Sequence, residues 1–111
     1  MRYPIEMEVS GKAASTADLI VKTDFIKSGG KICIQRVSAT NKTTATKTVT
    51  IGLQVGADIR WLETITLTAA GLYYALTEPI FTTGNVRVVF RFDSPTSGDI
   101  VSGFVFGYYE C

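Results

Sequence analysis

The sequence predicts an all-β domain: an antiparallel β-sandwich, jelly-roll-like, with about eight strands. Three observations carry this. Apolar residues recur with a period of two from one end of the chain to the other. No segment shows the i, i+3, i+4, i+7 apolar spacing of an amphipathic helix. Clusters of glycine, serine, asparagine and aspartate punctuate the chain roughly every 8 to 14 residues, the rhythm of sandwiches and small barrels. A closed small barrel is the alternative architecture.

The first strand is expected over residues 3–9, with Tyr3, Ile5, Met7 and Val9 on one face and Glu6 and Glu8 on the other. Pro4 lacks a backbone donor, which places it at a strand start or an edge. The small-residue stretch 11–16 leads to a second strand over 18–26. Ser28-Gly29-Gly30 reads as a turn into a third, 31–40, in which Ile32 and Ile34 oppose Cys33, Gln35 and Val37. The polar run 41–46 reads as a loop. Residues 48–55 then give the cleanest half-buried strand, because Val49, Ile51, Leu53 and Val55 alternate with threonine, glycine and glutamine.

Gly56-Ala57-Asp58 turns the chain into residues 59–67, where the alternation slips between Trp61 and Leu62 and predicts a β-bulge. Ala69-Ala70-Gly71 leads to a strand over 72–76, and Pro79-Ile80-Phe81 begins an irregular crossing. Thr83-Gly84-Asn85 reads as a turn into residues 86–92. There Val86, Val88, Phe90 and Phe92 face a core, while Arg87, Val89 and Arg91 face the other way. After the turn-rich stretch 93–99, the last strand, 100–109, is apolar on both faces, as in a central strand or one covered on both sides.

Composition bounds the function. A length of 111 residues fits one domain, 1–111, with one hydrophobic core and no need of metals or disulfides. Apolar residues make up 46% and charged residues 19% of the chain, with a mean hydropathy of +0.22. Some apolar surface is therefore expected to lie under a partner. Eleven basic and ten acidic residues give a net charge of +1 with no block of like charge. Nucleic-acid domains need a basic face to neutralise phosphates, so no nucleic-acid partner is expected.

The start, Met1-Arg2-Tyr3-Pro4-Ile5-Glu6-Met7-Glu8, has no apolar run behind its basic residue, which argues against a secretory signal and for synthesis in the cytoplasm. No stretch approaches the roughly 20 apolar residues of a membrane span. Cys33 and Cys111 make no disulfide framework and read as a buried structural thiol and a tail thiol. Asn41-Lys42-Thr43 matches the glycosylation triplet but reads as a polar loop.

Histidine is absent. That removes the commonest general base, the Ser-His and Cys-His nucleophile systems and most zinc sites. No glycine-rich phosphate loop occurs. Glu6 and Glu8 read as a solvated strand face rather than a glycosidase pair, and Asp93 and Asp99 as turn residues rather than calcium ligands. The expectation is a protein that is not an enzyme, with no catalytic residue, cofactor, metal or small-molecule substrate.

The aromatic residues point instead to interfaces. The adjacent pairs Tyr73-Tyr74 and Tyr108-Tyr109 cannot both point inward on one strand face, so one tyrosine of each is exposed or meets a partner. Tyrosine and tryptophan are enriched at binding hot spots, which adds Trp61. Arg87 and Arg91, on the outward face of their strand, fit the same role. A carbohydrate-binding module is the alternative from another class, and it requires a flat row of aromatics or a loop-borne calcium site.

In the order of its segments the chain resembles small β-sandwich accessory proteins of tailed-bacteriophage virions, of the capsid decoration or cement type. The likeness spans most of the chain. A strand over 31–40 leads to a threonine-rich loop, Gly84-Asn85-Val86-Arg87-Val88 opens the penultimate strand, and Gly98-Asp99-Ile100 leads into a final strand ending Gly107-Tyr108-Tyr109-Glu110. The resemblance implies a homo-oligomer, trimeric in many such families, located in the virion and bridging the major capsid protein or another virion protein. A neck, tail or baseplate position is the second form of that reading. It further implies that the N-terminal segment, including Tyr3, Pro4 and Ile5, adds a strand to a neighbour's sheet edge, with Pro4 limiting runaway pairing.

Overall fold

The computed structural model describes residues 2–110, and within them there is no helix. Eight strands follow one another: β1 (Arg2–Lys12), β2 (Leu19–Lys22), β3 (Ile26–Asn41), β4 (Lys47–Val55), β5 (Asp58–Leu67), β6 (Tyr74–Ala75), β7 (Ile80–Asp93) and β8 (Ile100–Glu110). All pairings are antiparallel and belong to one continuous open sheet.

Four of the pairings, β1 with β8, β2 with β7, β3 with β6 and β4 with β5, join strands equally far from the turn at Gly56. The chain is thus a long hairpin, with its tip where Gly56 takes a φ of 62°, rolled over on itself. Rolling adds the pairings of β8 with β3 and β7 with β4. Two facing layers result, β1-β8-β3-β6 and β2-β7-β4-β5, which is a sandwich. The first halves of β3 and β7 pair with each other and join the layers along one side.

Side-chain alternation decides what lies between the layers. Val86, Val88, Phe90 and Phe92 of β7 and Val49, Ile51 and Leu53 of β4 meet Ile34, Val37 and Ala39 of β3, Val101 and Val105 of β8 and Ile5 of β1. Glycine sets how close the layers come. A Cβ on Gly103 of β8 would lie 2.6 Å from the ring of Phe90, so the missing side chain is what lets the phenyl ring seat there. Gly107 of β8 faces a register shift between Ile34 and Arg36, and a Cβ there would overlap the Cys33 carbonyl oxygen.

Several expectations change. Ser28-Gly29-Gly30 and Thr83-Gly84-Asn85 are not turns. Both lie inside long strands, opposite each other, where Ser28 pairs with Gly84 and the register shifts between Ser28 and Lys31. Glycine supplied the positive φ of 86° that an irregularity at Gly84 needs without ending the strand. The expected second strand stops at Lys22, and of residues 72–76 only Tyr74 and Ala75 pair. The slip at Trp61–Leu62 is a bulge, because Ile51 pairs with Glu63 while Gly52 pairs with Trp61. Strand β8 lies between β1 and β3, the central place its two apolar faces predicted.

Candidate protein-binding faces

Each layer turns one face outward. On β2-β7-β4-β5 the outward residues of β7 are Arg87, Val89 and Arg91, and Val89 is fully buried although it points away from the core. The cross-strand partner of Val89 is Gly52 of β4, whose neighbour across the next pairing is Trp61 of β5. A Cβ on Gly52 would stand 2.8 Å from Trp61 Cε3, so the indole lies down over the glycine. The Arg91 guanidinium sits 4.6 Å from the indole centroid. Its Nε donates to Asp93 Oδ1 at 2.8 Å and its Nη2 to Thr50 Oγ1 at 3.3 Å. Asp93 Oδ2 in turn accepts from Thr48 and Thr50.

Arg87 repeats the device two outward positions along the strand. Its guanidinium lies 4.4 Å from the Phe25 ring centroid and its Nε donates to Gln54 Oε1, while Gln54 Nε2 donates to the Gly56 carbonyl. Two arginine–aromatic pairs are therefore fixed by hydrogen bonds within the sheet before any partner arrives.

The outward face of β1-β8-β3-β6 is built on β8. Its residues Phe104, Phe106 and Tyr108 run between Glu8, Glu6 and Pro4 of β1 and Ser38, Arg36 and Cys33 of β3. Phe106 is 41% exposed. Phe81 of β7, opposite Cys33, is 73% exposed and borders a cleft of about 520 Å³ whose floor includes Cys33 and Tyr108. The Arg2 guanidinium covers Tyr108 at 4.2 Å and pairs with Glu110 at 3.6 Å. A hydrogen bond with the Cys33 thiol pushes the Tyr108 hydroxyl above its ordinary pKa.

A scan of the sequence against protein-family models and a search of the curated proteins each found no match. Function therefore rests on the faces themselves.

The loops at one end of the sandwich are tied together by Asp99, which is fully buried. Its carboxylate accepts from Asn41 Nδ2 at 2.9 Å, Thr44 Oγ1 at 2.5 Å and the Thr96 N–H at 2.9 Å. Burial pushes this carboxyl up, but the bonds from Thr44, Asn41 and Thr96, helped by the charge of Lys47, outweigh it and hold the pKa below the ordinary value of 3.8. The carboxylate fastens a loop rather than presenting itself for chemistry. Among the described residues no group of three or more metal-ligating side chains comes together.

The candidate residues divide. Trp61, Arg87 and Arg91 share one outer face. Pro4 and Tyr108 are neighbours on the other. Tyr3 stacks on Tyr109 with centroids 5.2 Å apart, and Tyr109 packs against the core. Tyr73 is exposed on the connection before β6, whereas the Tyr74 hydroxyl meets Thr68 Oγ1 and accepts from the Ala69 N–H. Ile5 is 4% exposed and belongs to the core, so it offers no surface to a partner. The tail thiol Cys111 lies outside the described residues, and Cys33 is buried as expected.

Sequence reasoning singled out neither Phe106 nor Phe81. Phe106 was reachable, since it shares the period-two face of Tyr108. Phe81 was hidden by reading its strand as an irregular crossing.

Proposed function

We propose that this chain is a non-enzymatic structural protein of a virus particle, of the capsid decoration type, which docks on shell subunits and bridges them. The observation that carries the reading is the Trp61–Arg91 pair on the outer face of β2-β7-β4-β5. Tryptophan and arginine are the side chains that most often anchor protein interfaces. Anchors already held by Gly52, Asp93 and Thr50 lose little conformational freedom on binding, which is where affinity is otherwise spent.

The strand pairing supports the same reading by analogy. We take the two layers, β1-β8-β3-β6 and β2-β7-β4-β5, as the order of a jelly roll, an architecture used by viral capsid and lectin domains. Fold alone does not fix function, and a neck, tail or baseplate position would call on the same docking face. Sugar stacking fits it less well. The Trp61 ring lies against Gly52 and carries the Arg91 guanidinium, which occupies ring surface a sugar would need. A homo-oligomer touching several shell subunits would gain effective concentration with each contact, so modest single contacts suffice.

The test is mass spectrometry of virus particles purified from the source. The reading expects this chain in the particles in fixed proportion to the major shell protein. Finding it only in the particle-free fraction would contradict the reading.

A further inference from the structure

We infer that the outward face of β1-β8-β3-β6 is a self-association surface, on which two copies pack face to face about a two-fold axis parallel to β8 and passing over Phe106. The inference concerns the face opposite Trp61 and does not depend on the virion reading.

Glu6, Phe106 and Arg36 are direct register partners on β1, β8 and β3, so an acid, an aromatic ring and a base stand side by side. Glu6 and Arg36 are both exposed, and among the described residues neither makes an ion pair. Phe106, between them, is 41% exposed.

Charge selects the operator. A two-fold parallel to the strands sets the partner's Arg36 over Glu6 and the partner's Glu6 over Arg36, with the two phenyl rings stacked at the centre. A two-fold across the strands would instead set Glu6 on the partner's Glu6 and Arg36 on the partner's Arg36, juxtaposing like charges. In this row only the first arrangement is complementary in charge, and the contact is isologous and closed, as in the commonest homo-oligomers; at the Arg2–Glu110 end the partner's Arg2 comes over Lys31, so that end adds no attraction. In the neighbouring row the partner's Glu8 faces the neutral Ser38, and at the far end Glu110 stands next to Arg2, which supplies its counter-charge.

The area suits a weak pair. Thr40 and Ser102 are already covered on this face and β6 has only two residues, so the open part is β1, β8 and β3 alongside Phe104 to Glu110, roughly 350 Å² at a strand spacing of about 4.8 Å. A stable pair covers about 800 Å² on each partner, so the dissociation constant is expected toward the millimolar end. Facing sheets pack about 10 Å apart with side chains interleaved, the depth at which a protruding phenyl ring is buried from both sides.

The test is sedimentation equilibrium of the full chain, with a thiol reductant, from micromolar to millimolar concentration. The inference expects a monomer–dimer equilibrium. Phe106→Ser, at an exposed position, should raise the dissociation constant about tenfold or more while leaving the thermal midpoint of the diluted monomer in place. Glu6→Arg and Arg36→Glu should each weaken the dimer, and combining them should restore it, because the swapped charges are again opposite across the axis. A monomer at every concentration, a trimer, or a dimer indifferent to Phe106→Ser would overturn the inference. So would a charge swap that fails to rescue the single variants. Particle binding through Trp61 is read separately, so loss of one leaves the other standing.

Discussion

Gly103 of β8 and Phe90 of β7 belong to strands that do not pair with each other, yet a Cβ on the glycine would come within 2.6 Å of the phenyl ring. The two layers meet closely at this contact. Phe90 is fully buried, and the glycine gives its ring a place to lie. Replacing Gly103 by alanine should destabilise the fold by about 1–3 kcal/mol, the usual cost of overpacking a filled core. Denaturant unfolding of Gly103→Ala measures it. Pairing the substitution with Phe90→Leu should recover part of the loss, since the two changes act on one space.

Gly107 should be less forgiving. The group its Cβ would strike is the Cys33 carbonyl, which belongs to the backbone of β3 at the Ile34–Arg36 register shift and cannot swing aside. Gly107→Ala is expected to cost more than Gly103→Ala in the same unfolding measurement. A smaller cost would show that the bulge in β3 yields easily.

Asp99 should give the protein an acid-sensitive loop cluster. Its folded pKa is depressed, so its stabilisation is fully present above the ordinary carboxylate value of 3.8 and is lost as pH falls below that value toward the folded pKa. Asp99→Asn keeps the shape but weakens acceptance from Thr44, Asn41 and Thr96. The variant should be less stable at neutral pH by about 1–3 kcal/mol. Its stability should also vary less between pH 5 and pH 2, in urea titrations across that range.

Thr40 and Ser102 face each other across β3 and β8, both fully buried, and neither hydroxyl has a hydrogen-bond partner. Removing both should cost nothing or help, because an unmet buried hydroxyl carries a desolvation penalty of about 1–3 kcal/mol. Thr40→Val with Ser102→Ala should therefore hold or raise the thermal midpoint. A clear fall would show that the hydroxyls are satisfied by ordered water.

How much of this was legible in the sequence follows from what each residue type can report. Period two revealed β4, β5 and β8, the inward set of β7, and the bulge beside Trp61, because an alternating strand advertises its faces and any break in them. Glycine misled. Gly29, Gly30 and Gly84 signal backbone freedom, and freedom serves a bulge inside a long strand as well as a turn between two short ones. Ile5, by its place near the N-terminus, reads as a surface residue, whereas its alternation with Pro4 and Glu6 already puts it inward with Met7 and Val9. Partners across space left no local trace. Nothing near Arg36 announces Phe106, and nothing near Asp99 announces Asn41 and Thr44, because the register that unites them is set by the roll of the whole chain.

Trp61 is the single tryptophan, so its fluorescence reports the docking platform directly. Gly52→Ala should lift the indole off β4, where a Cβ would meet Cε3 at 2.8 Å, and shift its emission to the red. Arg91→Ala should change the emission as well, by removing the guanidinium 4.6 Å from the ring. Unchanged emission in both variants would contradict the geometry described for this face.

The most direct measurement is rebinding: virus particles stripped of this chain are incubated with purified wild-type protein or with Trp61→Ala, then pelleted through a cushion. The account predicts saturable co-sedimentation of the wild type, and binding by Trp61→Ala weakened by about 2 kcal/mol or more, the loss expected of a hot-spot residue. Wild-type protein that stays in the supernatant, or a Trp61→Ala variant that binds as well as wild type, would contradict it.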